Sequence, residues 1–331
     1  MSETEYHVPV LLGEVLELLV GGGDMAQPSI KDSRKVYVDG TLGGGGHFRA
    51  VAGALSGRDG AGECVVIGID RDREALDNVR RGGLGGTGAK VILEQSRFSE
   101  FDSVLRKHGI DRVAGLLVDL GVSSRQIDAP GRGFMYMRDA PLDMRMDQGG
   151  GLTAAEFLEH SDEGELALVF EKYGEIRNAR RMAGVIKDYM RQKKILTSAD
   201  LKDCLTREYG ANLKIQVFAK LFQALRIAVN GELEELRLFL DKSVRWLAEG
   251  GRIAVISYHS LEDRMVKEFF RAAEGACVCD PGLPVCNCNR PVLLKRVNRK
   301  AVTASDEEIT LNPRSRSARL RVAERTKEAC L

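Results

Sequence analysis

The sequence predicts a doubly wound α/β domain with a mostly parallel sheet, interrupted by an inserted all-helical domain. Three observations carry this. Short β-branched runs alternate with helical stretches between residues 36 and 119. The alternation stops from about Ser124 to Ala224, where apolar residues recur at helical spacing. A buried-strand pattern, Ile253-Ala-Val-Ile256, then returns. The boundaries read from these shifts place 1–124 and 225–331 in a discontinuous α/β domain and 125–224 in the insertion.

Each element has its own signal. His7 to Val20 places Val10, Leu11, Val15, Leu18 and Leu19 on one helical face, and Gly21-Gly-Gly-Asp24 closes it. The strand candidates are Val36–Asp39, Val65–Asp70, Val91–Glu94 and Ala114–Asp119. Helical stretches Phe48–Leu55, Arg73–Arg80 and Phe101–His108 separate them, as βαβ crossovers require. The glycine-rich run 81–86 reads as an exposed loop. The insertion carries helical pieces Thr153–Glu159, Gly164–Tyr173, Ile176–Gln192 and Ser198–Tyr209. Glu232–Ala248 is a further helix stopped by Gly250-Gly251, and Arg252–Ser257 is a buried strand. Ser317-Ala-Arg-Leu-Arg-Val-Ala323 alternates apolar and basic residues, the pattern of an edge or antiparallel strand.

At 331 residues, 44% hydrophobic and 29% charged, with net charge +1, the chain has the composition of a globular protein and no global charge that advertises a polyanion or a membrane. No apolar run approaches the ~18–20 residues that cross a bilayer, and the acidic Met1-Ser-Glu-Thr-Glu5 is unlike a secretory signal. A cytoplasmic protein with no membrane partner is expected, its seven cysteines mostly reduced. In 290–325, Lys and Arg outnumber Asp and Glu, which fits either a solvated surface or a polyanion contact.

The strongest chemical signal is Asp39-Gly-Thr-Leu-Gly43-Gly-Gly-Gly-His47, followed by a second strand ending in Asp70. Consecutive glycines let backbone N–H groups approach a ligand, and the helix opening near His47 aims its positive end at it. Asp70 is placed to accept hydrogen bonds from ribose hydroxyls. The G-x-G-x-x-G phase of a dinucleotide site is missing. The acidic end of the first strand instead suits a cofactor with an ammonium group, such as the methionyl part of S-adenosylmethionine. No G-x-x-x-x-G-K-[ST] loop is present, which argues against an NTPase.

Asp119-Leu-Gly-Val-Ser123-Ser124 puts a carboxylate and two hydroxyls after the fourth strand, to orient an amine or a cofactor or to cap a turn. The run Arg132 to Asp147, dense in Arg, Asp and Met, reads first as a structural ion-pair network. In Ser257-Tyr-His259-Ser-Leu-Glu-Asp263, His259 is a candidate base or positioned donor, and the absence of a Gly-x-Ser-x-Gly elbow argues against a hydrolase. Cys277, Cys279, Cys286 and Cys288 are a candidate zinc set. Their C-x-C spacing differs from the usual knuckle, so a reduced exposed loop is favoured and no metal is assigned.

Together, these motifs with His7-Val-Pro-Val-Leu-Leu12, Arg132-Gly-Phe134, Pro141-Leu-Asp-Met-Arg-Met146, Phe222-Gln-Ala-Leu-Arg-Ile-Ala-Val-Asn230 and Asn312-Pro-Arg-Ser-Arg-Ser317 resemble the RsmH (MraW) family of bacterial methyltransferases, over almost the whole chain and in order. The resemblance implies a class I S-adenosylmethionine-dependent fold and methylation of the N4 amine of a cytidine in 16S ribosomal RNA. It implies cofactor contacts from Gly45, Gly46, His47, Asp70, Phe98 near the adenine, Asp119 and Gln126. The candidates for the chemistry are Asp119, Ser123 and His259, with Asp143 a further candidate for positioning. The stretch Lys214-Ile-Gln-Val-Phe-Ala-Lys-Leu221 departs from the more usual Thr-Arg-Thr-containing approach. The implied partner is small-subunit RNA, as a single strand or loop with its cytidine flipped out. Arg314, Arg316, Arg319 and Arg321, or Arg177, Arg180, Arg181, Lys193 and Lys194 of the insertion, are candidates for phosphate. Three other readings share parts of this pattern: a nicotinamide dehydrogenase, an RNA-binding assembly factor without catalysis, and a zinc-dependent adaptor. Reduced-cofactor fluorescence, RNA binding after Asp70→Ala and metal analysis separate them.

Overall fold

The computed structural model describes residues 9–21, 35–56, 64–83, 88–123, 126–127, 129, 131–210, 214–275 and 290–327. These pack as two compact units. One comprises Met1–Gly121 with Glu235–Leu331, the other Val122–Glu234.

The first unit is built on a sheet that has seven strands among the described residues: β1 (Val36–Asp39), β2 (Val65–Asp70), β3 (Lys90–Gln95), β4 (Val113–Asp119), β5 (Leu247–Ser257), β6 (Leu294–Arg296) and β7 (Arg319–Arg325), in the order β3-β2-β1-β4-β5-β7-β6. The first five run parallel; β7 lies antiparallel to both of its neighbours. The order reverses direction at β1 and β4, so their carboxyl ends, Asp39 and Asp119, flank the crevice where such sheets bind ligands. This is a Rossmann-like class I arrangement. Strands buried on both faces explain why the β-branched runs are continuous rather than alternating.

Helices α1 (Leu12–Val15, running into a π-helical turn Leu16–Gly21), α2 (Gly46–Ser56) and α3 (Arg73–Arg81) cover one face. Their side chains Leu19, Phe48, Val51 and Leu76 pack with Tyr37, Val66, Leu117 and Leu320. On the other face, α4 (Phe101–Lys107), α10 (Glu232–Trp246) and α11 (Ser260–Ala273) bury Phe101, Leu105, Phe239, Val266 and Phe270 against Val38, Ile67, Leu116 and Val255. A short helix, α12 (Asp306–Leu311), precedes β7.

The second unit holds α5 (Ala154–His160), α6 (Glu163–Gly174), α7 (Ala179–Met190), α8 (Ser198–Tyr209) and α9 (Ile215–Asn230) around Leu158, Phe170, Ile186, Leu205, Leu221 and Leu225. Reciprocal capping boxes at Thr153/Glu156, Asp162/Glu165 and Thr197/Asp200 fix where α5, α6 and α8 begin.

Several expectations need correction. The boundary drawn at 224/225 falls inside α9, whose apolar face carries Leu221, Phe222 and Leu225 into the helical core, so that unit extends to Glu234. The boundary drawn at 124/125 sits after Gly121 instead. The helix expected over Glu232–Ala248 is α10, which ends at Trp246, and Leu247 already pairs with Val113. Gly250 and Gly251 therefore belong to an irregular stretch of β5 rather than to a helix stop. There, a Cβ on Gly251 would meet the Ala248 and Val113 carbonyl oxygens at 2.9 Å. Of the two alternatives for the C-terminal strand, edge or antiparallel, the structure bears out the antiparallel one, with the three-residue β6 pairing outside it. The first helix begins at Leu12 among the described residues, after Leu11 in a left-handed conformation. Within the described residues, no helix is long and apolar enough to cross a membrane.

Candidate functional site

The turn after β1 is held by its own backbone and by the neighbouring strands. Gly40 N–H donates to Leu117 O at 2.8 Å and Leu42 N–H to Ile69 O at 3.0 Å. Gly43 (φ +47°) and Gly45 (φ +77°) take the left-handed conformation that costs other residues energy. A Cβ on Gly45 would meet Val79 Cγ2 at 2.6 Å, and one on Gly46 would meet Pro9 Cγ at 2.3 Å. The loop is thus glycine-rich as much for packing as for access.

Three acidic groups edge this turn. Asp39 is buried; its Oδ1 accepts from Thr41 N–H at 3.1 Å, while Oδ2 has no hydrogen-bond partner among the described residues. Burial pushes its carboxyl up to about 7. Asp70 accepts Gly43 N–H on Oδ2 and Asp72 N–H on Oδ1, each at 2.8 Å, and burial raises it to about 6. Each oxygen keeps a second lone pair for a ligand hydroxyl. Asp119 accepts the Tyr258 hydroxyl on Oδ1 at 2.8 Å, and its own N–H donates to Thr41 Oγ1 at 2.6 Å. Burial, then the Asp119 carboxylate, hold the Tyr258 phenol above its ordinary range.

His47 opens α2 with its ring buried. Burial lowers its pKa, which favours the neutral ring. Its Nε2 lies 2.9 Å from Val10 O, and a carbonyl only accepts, so Nε2 carries the proton. Nδ1 is therefore an acceptor, 3.7 Å from Asp119 Oδ2. Phe98 begins a 3-10 turn, Phe98–Glu100, after β3. A Cβ on Gly40 would meet its Cβ at 3.0 Å, so the ring's stem lies against the start of the glycine turn. The crevice of the first unit thus brings together Gly45, Gly46, His47, Asp70, Phe98 and Asp119.

Ser123 and Gln126 belong to the second unit. They bond reciprocally: Ser123 N–H donates to Gln126 Oε1 at 3.0 Å, and Gln126 N–H to Ser123 Oγ at 3.2 Å. His259 caps α11. Its Nδ1 accepts from Glu262 N–H at 3.4 Å, and Nε2 stands 3.1 Å from Glu262 Oε1 without hydrogen-bond geometry. The Arg132–Asp147 run is the expected network. Asp143 binds Arg145 through both oxygens, Arg132 donates to the Arg145 and Met146 carbonyls, and Asn230 holds Met144 O and Met146 N–H.

Of the basic candidates, Arg321 is buried and bound to Asp263 at 2.7 Å, and Arg319 reaches the same carboxylate at 3.1 Å. Arg321 is committed to tying β7 to α11, which corrects its reading as a phosphate ligand, whereas the Arg319 side chain is 55% exposed. Arg181, Lys193 and Lys194 pair with Glu208, Asp200 and Glu159, whereas Arg177 and Arg180 are exposed. Cys277, Cys279, Cys286 and Cys288 lie outside the described residues; Cys64 and Cys204 are free and buried. Tyr258 and Thr41 were missed as partners of Asp119. Tyr258 sat in plain view beside His259, but nothing in the sequence says that its hydroxyl reaches across to β4.

A family model described as the MraW methylase family matches residues 4–326. The chain belongs to the MraW methylase family. Relatives named ribosomal RNA small subunit methyltransferase H include those of Syntrophotalea carbinolica, 44% identical over 98% of this chain and 99% of the relative, and Chlorobium luteolum, 43% identical over 98% of each. Another, from Heliobacterium mobile, is 41% identical over 97% of this chain and 99% of the relative. As an MraW methylase, the chain has a donor set that fits S-adenosylmethionine. The buried Asp39 Oδ2, without a hydrogen-bond partner among the described residues, suits an ammonium, and Asp70 suits a ribose.

Proposed function

We propose that this protein methylates the exocyclic N4 amine of a cytidine in small-subunit ribosomal RNA, using S-adenosylmethionine. The observation that carries the reading is the turn between Asp39 and Asp70. Asp39, a buried carboxylate with one oxygen unbonded among the described residues, stands at the switch point of the sheet, and Asp70, at the end of the adjacent β2, is tied to the glycine backbone. The cofactor supplies an electrophilic methyl group on a sulfonium.

The rest falls to the protein. Asp39 takes the cofactor's ammonium, Asp70 its ribose and Phe98 its adenine side, while Gly45, Gly46 and His47 complete the set within the first unit. Cytosine N4 is a weak nucleophile because its lone pair is delocalised into the ring, so orientation must supply much of the rate. We assign Asp119 the N4 hydrogen. The Tyr258 hydroxyl on Oδ1 fixes the plane of this carboxylate. His259, next to Tyr258 in the first unit, is assigned to holding the base. The second unit, with Arg177 and Arg180 on its surface, is assigned to RNA phosphates, and the cytidine enters unstacked from a single strand or loop.

The test is transfer of labelled methyl to small subunits lacking the modification, comparing wild type with Asp70→Ala and Asp119→Asn. N4-methylcytidine formed by wild type and lost in Asp70→Ala supports the reading. Loss in Asp119→Asn with cofactor affinity kept assigns that carboxylate to the chemistry. Cofactor binding without transfer points to another substrate.

A further inference from the structure

The turn that presents Phe98 has no cap of its own: neither Arg97 nor Glu100 makes a side-chain cap for the helices they precede. It is gripped instead by α10, far away in sequence. Glu235, Phe239, Lys242 and Trp246 recur at helical spacing on one face of that helix, and all engage residues 97–106. Glu235 is 6% exposed. Its Oε1 accepts from Arg97 Nη1 at 2.8 Å, and its Oε2 accepts the Ser99 hydroxyl. Phe239 meets the Phe98 and Phe101 rings edge-on, at centroid distances of 5.6 and 5.3 Å. Lys242 Nζ donates to Ser99 O and Asp102 Oδ1, both at 2.8 Å. Trp246 packs on Phe101 from the far side, with Arg106 over its ring.

A charge taken out of water costs several kcal/mol unless it is fully bonded, so a buried glutamate is an expensive way to hold a loop. A hydrophobic residue would seal the same interface but would not specify where the turn stops. The two oxygens of Glu235 address two groups on either side of Phe98, the Arg97 guanidinium and the Ser99 hydroxyl. They thereby fix the residue between them.

We propose that Glu235, seconded by Lys242, is a positioning residue for cofactor binding: it sets the pose of Phe98 against the glycine turn and so determines affinity at the adenine end. The proposal rests on the reading that Phe98 lies beside the adenine. Glu235 acts through the turn and touches no reacting atom. Its loss therefore raises the KM for S-adenosylmethionine while leaving kcat at saturating cofactor, and the KM for RNA, near wild type.

The experiment uses the full chain, with cofactor KM, kcat and Tm as its readouts. In Glu235→Gln the cofactor KM is expected to rise about tenfold. A merely structural role would lower Tm and the active fraction without moving KM. An unchanged cofactor KM beside a lowered Tm therefore overturns the proposal. If Glu235→Gln does not fold, Arg97→Met removes one arm of the clamp from a side chain that is 58% exposed, and the same KM shift is required of it. Phe98→Leu separates the two ideas. If it leaves the cofactor KM unchanged, the reading of Phe98 fails. If it raises KM while Glu235→Gln and Arg97→Met do not, only the positioning role fails.

Discussion

At the scale of single residues, the site is governed by what burial does to carboxylates. Asp39 is held at about 7 and Asp70 at about 6 because their charged forms are desolvated. A carboxyl raised in the folded state stabilises the empty protein fully below its unfolded range near 4. That contribution is lost as pH rises through the folded value. The Tm of the cofactor-free protein should therefore fall as pH goes from about 4 to about 7. Over the upper part of that window, cofactor affinity should rise as Asp39 ionises, with proton release on binding, measurable by calorimetry in buffers of different ionisation enthalpy. Asp39→Asn should flatten the profile and weaken binding throughout. Gly45→Ala must accept both a left-handed backbone and a close approach to Val79 Cγ2. It should cost about 1–3 kcal/mol, read as a lowered Tm, together with weaker cofactor binding. Glycine density and the two strand-end aspartates were legible in the sequence because these residue types are required by the chemistry itself. The hydroxyl of Tyr258 on Asp119 was not, since 139 residues separate them.

At the scale of elements, the ends of helices and strands carry the functional side chains. Caps are local and were partly readable: Thr153 with Glu156 and Thr197 with Asp200 are short-range signals. Strand placement was less so. Leu294–Arg296 is too short to announce itself, yet it makes β7 an interior strand, and Arg321 on that strand is buried. The charge is tolerated because Asp263, at the start of α11, accepts two bonds from it. Asp263→Ala should leave Arg321 buried without that partner and cost about 3–5 kcal/mol, measured by denaturant unfolding. The Asp263 carboxyl is held below its usual range, its arginine bonds outweighing burial, so this stabilisation is present at neutral pH and lost as pH falls through the carboxylate range.

At the scale of the whole molecule, a continuous sheet is assembled from two chain segments separated by a helical unit, 122–234. Charge reversal at Arg177 and Arg180 should weaken RNA binding and reduce its salt slope by about one per lost phosphate contact, with cofactor binding unchanged, measured by titration at several ionic strengths. The sequence by itself determined the parallel α/β architecture, the existence of the helical insertion, and the glycine turn between Asp39 and Asp70. Each is written in short-range periodicity or in residue types that only one backbone conformation or one ligand chemistry demands. Only the tertiary structure decided that α9 belongs wholly to the insertion, that Arg321 is structural, and that Glu235 grips the turn carrying Phe98. Those outcomes depend on which distant side chain a buried charge or an apolar face meets, and no local pattern encodes that meeting.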